Sequence, residues 1–168
     1  GQGVLALSPG LNSFTRSDGN FGFFGEQPRD YYILTPSNYV HGRQYPMVMM
    51  LHGAGQLAAS GIYNRTDVRQ VLDAYQVVAL IPEGQLSTTS PASLFGTSYT
   101  FNFSDNSGLQ VGLVSDINWL MNKVYPEARG RGNFDTSRIW LWGVSNGALM
   151  VYKLMKNTSV FNGAVAVS

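Results

Sequence analysis

Four short apolar runs constrain this sequence more than anything else in it. They are "MVMMLHG" at 47–53, "VVALIPEG" at 77–84, "RIWLWGV" at 138–144 and "FNGAVAVS" at 161–168. Polar and apolar residues do not alternate within them. Each run reads as a strand buried on both sides. Between them lie segments of helical period. "DVRQVLDAYQ" sets Val68, Val71, Leu72 and Tyr75 at helical spacing, and "LQVGLVSDINWLMNKVY" sets Leu109, Leu113, Ile117, Leu120 and Val124 on one face. "NGALMVYKLMKN", 146–157, reads as a helix that is apolar nearly all round. This alternation predicts an α/β fold, a mostly parallel, doubly wound sheet with helices on both faces.

A further short strand, "RDYYILTP", is closed by Pro36, and "SNYVHGRQYP" is a polar connection. Residues 1–28 are rich in Gly, Ser, Asn and Phe and read as an irregular lead-in with room for one edge strand. Residues 85–108 show no period and form a long loop. Neither an internal repeat nor a linker divides residues 29–168, which read as part of a single domain.

Sites in such sheets lie at the carboxyl ends of the strands. Gly143-Val144-Ser145-Asn146-Gly147 stands there, between a buried strand and an apolar helix. It matches the Gly-x-Ser-x-Gly nucleophile elbow. A strand that turns into a helix within about two residues holds its serine at strained dihedrals. Side chains at the flanking positions would strike the neighbouring strand and helix, so both are glycine. The Asn146 amide then points from a helix N-terminus toward the site and can stabilise an oxyanion. A tight turn with a small polar residue would satisfy the same pattern. The second amide of an oxyanion hole comes from a loop after an earlier strand of the sheet. "LHGAGQ" occupies that place, with Ala54 the first choice of donor and Gly55 the second. An ordinary strand-to-helix loop is the alternative, and His52 reads as a hydrogen-bonder that shapes it.

Charged residues make up only 12% of the chain, replaced by neutral polar types common in exported proteins. With a net charge of +1, no field draws in nucleic acid or an anionic membrane. No apolar run reaches the ~20 residues of a membrane span. "GQGVLALSPG" lacks the head and core of a signal peptide, so the expectation is the mature form of a secreted or periplasmic protein. Three Asn-x-Ser/Thr sequons, at Asn64, Asn102 and Asn157, are expected by chance in a chain of this composition. Absence of cysteine excludes thiolate metal sites and a cysteine nucleophile, and the two histidines give no metal-ligand spacing. No cofactor is implied, and no Gly-x-Gly-x-x-Gly or phosphate loop follows a strand.

"RDYYILTPSNY", "YPMVMMLHGAGQ", "VVALIPEGQ" and "FDTSRIWLWGVSNGALM" together resemble the α/β-hydrolase superfamily. More narrowly they resemble the secreted esterases grouped with polyhydroxybutyrate depolymerases and feruloyl or acetylxylan esterases. Asp135, Ser137 and Arg138 ahead of the elbow strand, and Ser-Asn-Gly within it, carry that likeness. It covers about residues 29–168, which would be the N-terminal part of a hydrolase domain. It implies Ser145 as nucleophile, Asn146 and Ala54 amides as the oxyanion hole, and the loop at 95–104 beside the substrate pocket. Tyr99, Phe101 and Phe103 would present an aromatic wall there, or pack a long loop. The resemblance departs at Ala148, where the group often has glycine, and in the absence of cysteine.

Serine is a weak nucleophile without a base. In this fold the triad order is Ser, then Asp or Glu, then His. No Asp, Glu or His follows Ser145, and His41 and His52 both precede it. His41 falls in the turn at the opposite edge of the sheet. Asp67, Asp73 and Asp116 read as solvated helix charges, and Glu83 at a strand end has no histidine to orient. The apolar run at 161–168 should be an interior strand with two more beyond it, since a flat apolar edge aggregates. The expectation is a hydrolase fold whose last strands, acid and histidine come from a continuation or a second polypeptide. The reaction expected is hydrolysis of a small or polymeric carboxylic ester through an acyl-enzyme on Ser145. An exopeptidase of the same superfamily, and a non-catalytic binding or interaction module, are the alternatives.

Overall fold

A computed structural model describes residues 5–17, 21–22, 25–26, 28–87, 98–101 and 116–168. Six strands form the main sheet: β1 (Gly10–Thr15), β2 (Asp30–Thr35), β3 (Gln44–Leu51), β4 (Val78–Pro82), β5 (Asn133–Val144) and β6 (Gly163–Val167). Their order is β1-β2-β4-β3-β5-β6. β1 and β2 are antiparallel to their neighbours, while β4, β3, β5 and β6 run parallel. This is the mixed, mostly parallel sheet that the apolar runs predict. The irregular lead-in contains β1, which lies as an edge strand on β2.

α1 (Thr66–Tyr75) follows β3 after a π-helical turn, Ala59–Tyr63. α2 (Asp116–Trp119), a π-helical turn Leu120–Val124 and α3 (Tyr125–Arg129) run on from one another, with Pro126 tolerated near the start of α3. Of the helical face predicted there, Ile117, Leu120 and Val124 pack into the core, while Leu109 and Leu113 lie outside the described residues. α4 (Asn146–Asn157) connects β5 to β6.

The two faces of the sheet are covered unequally. Met47, Met49 and Leu51 of β3 and Ile139 and Leu141 of β5 face one side, under Trp119, Leu120, Met150, Val151 and Leu154, all essentially buried. The opposite side carries Val48 and Met50 of β3 and Trp140 and Trp142 of β5, paired row by row, with Val165 next to Trp142 in register. Among the described residues, α1 and the π-helical turn before it cover that side. Of the residues at helical spacing on α1, Leu72 is buried but Val71 is 54% and Tyr75 74% exposed. The result is an apolar groove of about 610 Å³ floored by Trp140 and Trp142.

Two expectations are corrected. The run at 161–168 is a strand, but Val165 and Val167 are exposed because, among the described residues, β6 pairs with β5 alone. Asp116 is no solvated charge: its carboxylate is fully buried against the Arg29 guanidinium. Arg29 also lies 3.6 Å over the Trp119 ring and donates from Nη2 to the Glu83 carbonyl at 2.9 Å. That pair ties the start of α2 to the carboxyl end of β4. Asp67 and Asp73 are exposed as expected, one bonded to Arg65 and the other to Ser37.

Candidate active site

β3, β4, β5 and β6 bring their carboxyl ends to one edge of the sheet, and Ser145 stands at its middle. Its backbone has φ 53° and ψ −113°, a combination that side chains rarely adopt. The conformation is held from several sides. Ser145 donates its amide to the Val167 carbonyl at 2.8 Å, and its own carbonyl accepts from Ala148 and Leu149. As the N-cap of α4 it makes no side-chain cap bond, and the residue is exposed.

Close approach explains both flanking glycines. A methyl on Gly143 would stand 2.4 Å from the Gly147 carbonyl oxygen and 2.8 Å from Val151 Cγ2. One on Gly147 would stand 2.2 Å from the Leu51 carbonyl oxygen and 2.8 Å from that of His52. The helix is thus seated directly on the end of β3. A methyl on Gly53 would come within 3.5 Å of Ser145 Cβ, so the loop after β3 lies against the serine.

That loop is fixed by its own hydrogen bonds. Gln56 Oε1 accepts the Gly53 amide at 3.0 Å. The Gly53 carbonyl accepts from His52 Nδ1 at 2.8 Å and from the Gln56 amide at 3.2 Å. The trans peptide then turns the Ala54 N–H away from His52. Ala54 is exposed, and its amide bonds to none of the described residues. The Asn146 amide, first in α4, has no carbonyl one turn back to bond.

His52 is fully buried. Its Nε2 accepts the Gly84 amide at 2.9 Å, and its Nδ1 must carry the proton given to Gly53. The ring is therefore bound in its neutral Nδ1–H form. Glu83 Oε1 lies 3.3 Å from the same Nε2, but that nitrogen's lone pair is already taken by Gly84. The Glu83 carboxylate instead accepts the Ala58 amide, both oxygens at 3.1 Å, at the start of the π-helical turn. His41 sits before β3, bonded through Nδ1 to the Tyr39 hydroxyl at 3.1 Å. The eight residues of β3 separate it from the site by roughly 26 Å.

The predicted pocket residues divide. A short antiparallel pair, Gln85–Ser87 with Ser98–Thr100, brings Tyr99 to the site half-exposed. Phe101 is 1% exposed, its ring centroid 4.8 Å from that of His52, so it is buried as a roof over the imidazole. Phe103 lies outside the described residues. Gly55 is also corrected: its amide, at φ 79°, donates to the Tyr99 carbonyl at 3.2 Å and is not available to an oxyanion. Sequence reasoning missed the Asn146 side chain. Its Oδ1 accepts the Phe101 amide at 2.8 Å and its Nδ2 donates to the Phe101 carbonyl at 3.1 Å. The available signal was a carboxamide at an elbow position where any residue would fit.

Neither a family model nor a curated protein matches this chain by sequence. Solved structures do match its fold. A ferulic acid esterase aligns over 95% of this chain and 59% of its own, with a TM-score of 0.65 at 14% identity. An acetyl xylan esterase from Aspergillus awamori aligns over 94% and 53%, at 0.60 and 17%. A poly(3-hydroxybutyrate) depolymerase from Bordetella parapertussis aligns over 95% and 51%, at 0.56 and 17%. The chain has the α/β-hydrolase fold and spans little more than half the length of these three proteins.

Proposed function

We propose that this α/β-hydrolase chain carries the nucleophile of an exported serine esterase. Ser145 Oγ attacks the carbonyl carbon of a carboxylic ester, and a histidine takes its proton. The Ala54 and Asn146 amides hold the oxyanion. The histidine then protonates the departing alcohol, leaving an acyl group on Ser145, and water releases the acid by the reverse proton path. The observation that carries this reading is the strained Ser145 backbone, with the Ala54 and Asn146 amides bonded to none of the described residues. Esterase names among proteins of similar fold support the reaction class.

The histidine and acid are supplied from outside residues 1–168, by a continuation or a second polypeptide. The edge of β6 that no described strand pairs, and the open apolar face beside it, are where that polypeptide would add its strands and a covering helix. One observation favours a non-catalytic reading instead: both histidines of the chain are committed away from Ser145.

Intact mass spectrometry before and after a fluorophosphonate probe tests the proposal, with Ser145→Ala as control. One probe mass on this chain, lost in the variant and requiring a companion polypeptide, supports it. An unlabelled chain in the presence of its companion overturns it in favour of the binding module. Chromogenic ester and peptide panels then separate esterase from exopeptidase.

A further inference from the structure

The Asn146 side chain and the Gly55 amide hold the same short strand, and each sits beside one of the two oxyanion amides. Tyr99 is the middle residue of the strand Ser98–Thr100 and Phe101 directly follows its end, and alternate residues of extended chain point their backbone groups the same way. One edge of the strand pairs with Gln85–Ser87. On the free edge, the Tyr99 carbonyl accepts from Gly55, next to Ala54, at 3.2 Å. Two residues on, Phe101 exchanges two bonds with the Asn146 carboxamide, at 2.8 and 3.1 Å. A planar amide facing a peptide with donor to acceptor and acceptor to donor is the pairing a neighbouring strand would make. The strand thus bridges the loop after β3 and the elbow after β5 across a fixed two-residue step, roughly 6.6 Å.

We propose that residues 99–101 are a spacer that sets the separation of the two oxyanion amides. Asn146 is the positioning residue that fastens the spacer to the elbow, in addition to lending its own amide. The proposal rests on the esterase reading for its catalytic meaning but not for its geometry. Phe101, roofing His52, gives the spacer a second hold on the loop that presents Ala54.

The test is amide exchange followed by NMR in the chain with its completing polypeptide, comparing wild type, Asn146→Ala and Asn146→Asp. Asn146→Ala should speed exchange at Phe101 and Gly55 by about tenfold or more while the amides of Val78, Ala79, Leu80 and Ile81 exchange as before. An aspartate is acceptor-only when ionised but offers both donor and acceptor when protonated. Asn146→Asp should therefore exchange fast at neutral pH and return toward wild type near about pH 4. In turnover, Asn146→Ala should lower kcat about tenfold or more with little change in KM, since an oxyanion hole acts on the transition state. Unchanged exchange at Phe101 overturns the proposal, as does loss of protection along the central strand in both variants. A proportionate rise in KM with kcat intact also overturns it. Altered exchange in a protein whose Ser145 takes no probe leaves the spacer standing and removes the esterase reading.

Discussion

Gly84 donates its backbone amide to Nε2 of His52 at 2.9 Å, with the imidazole wholly buried. The ring thereby bolts the carboxyl end of β4 to the loop after β3. His52→Ala would strand the Gly84 amide and loosen the Gly53 carbonyl above a new cavity beneath Phe101. Loss of about 3–5 kcal/mol is expected in urea unfolding. A loss below about 1 kcal/mol would show that these bonds do not secure the loop.

Ser145 occupies a conformation that glycine adopts without penalty. Ser145→Gly is expected to raise stability by about 1 kcal/mol over Ser145→Ala, while both variants lose probe labelling. Equal unfolding midpoints for the two would mean the elbow stores no strain.

Gly147 has no room for a side chain, because a methyl would lie 2.2 Å from backbone oxygen. Gly147→Ala is expected to cost about 3 kcal/mol or more and to abolish labelling, as helix α4 is pushed off β3. Retained labelling with a stable fold would contradict the seating described here.

Glu127 links β2 to α3, accepting from the Tyr31 hydroxyl at 2.6 Å and from Arg131 Nη2 at 2.9 Å. Burial pushes its carboxyl up, but those two hydrogen bonds together with the Arg131 and Arg16 charges outweigh it and hold it below the ordinary 4.5. Its contribution to stability is then complete above about pH 4.5 and lost as pH falls below that value. Melting temperatures measured from neutral to acid pH should fall less steeply in Glu127→Gln than in wild type.

The open edge of β6 is expected to make the isolated chain self-associate. Val165→Lys with Val167→Lys puts charge on the exposed row and should shift sedimentation toward the monomer. Identical profiles for the two proteins would show that the edge is not adhesive.

What could be read from sequence were the features that backbone geometry dictates locally. Gly143 and Gly147 announced the elbow because no other residue survives such close contact, and unbroken apolar runs announced strands covered on both sides. Long-range pairings stayed hidden. Asp116 looked solvated because its partner, Arg29, is 87 residues away. Gly55 looked like a donor until Tyr99 was brought beside it by a hairpin with no sequence period. Phe101 suited an aromatic wall, but the same apolar surface fills the space over His52 more favourably.

Gly147 rests on the carbonyls of Leu51 and His52, residues made long before it in synthesis. The turn that aims Ser145 therefore cannot exist until β5 has found β3 across the intervening chain, a non-local and slow event. In the esterase proposed above, reactivity of this serine is a late acquisition of folding. A nascent or collapsed chain with β1 to β4 paired but β5 not yet docked on β3 would take no probe, and probe labelling would serve as a clock for that docking step.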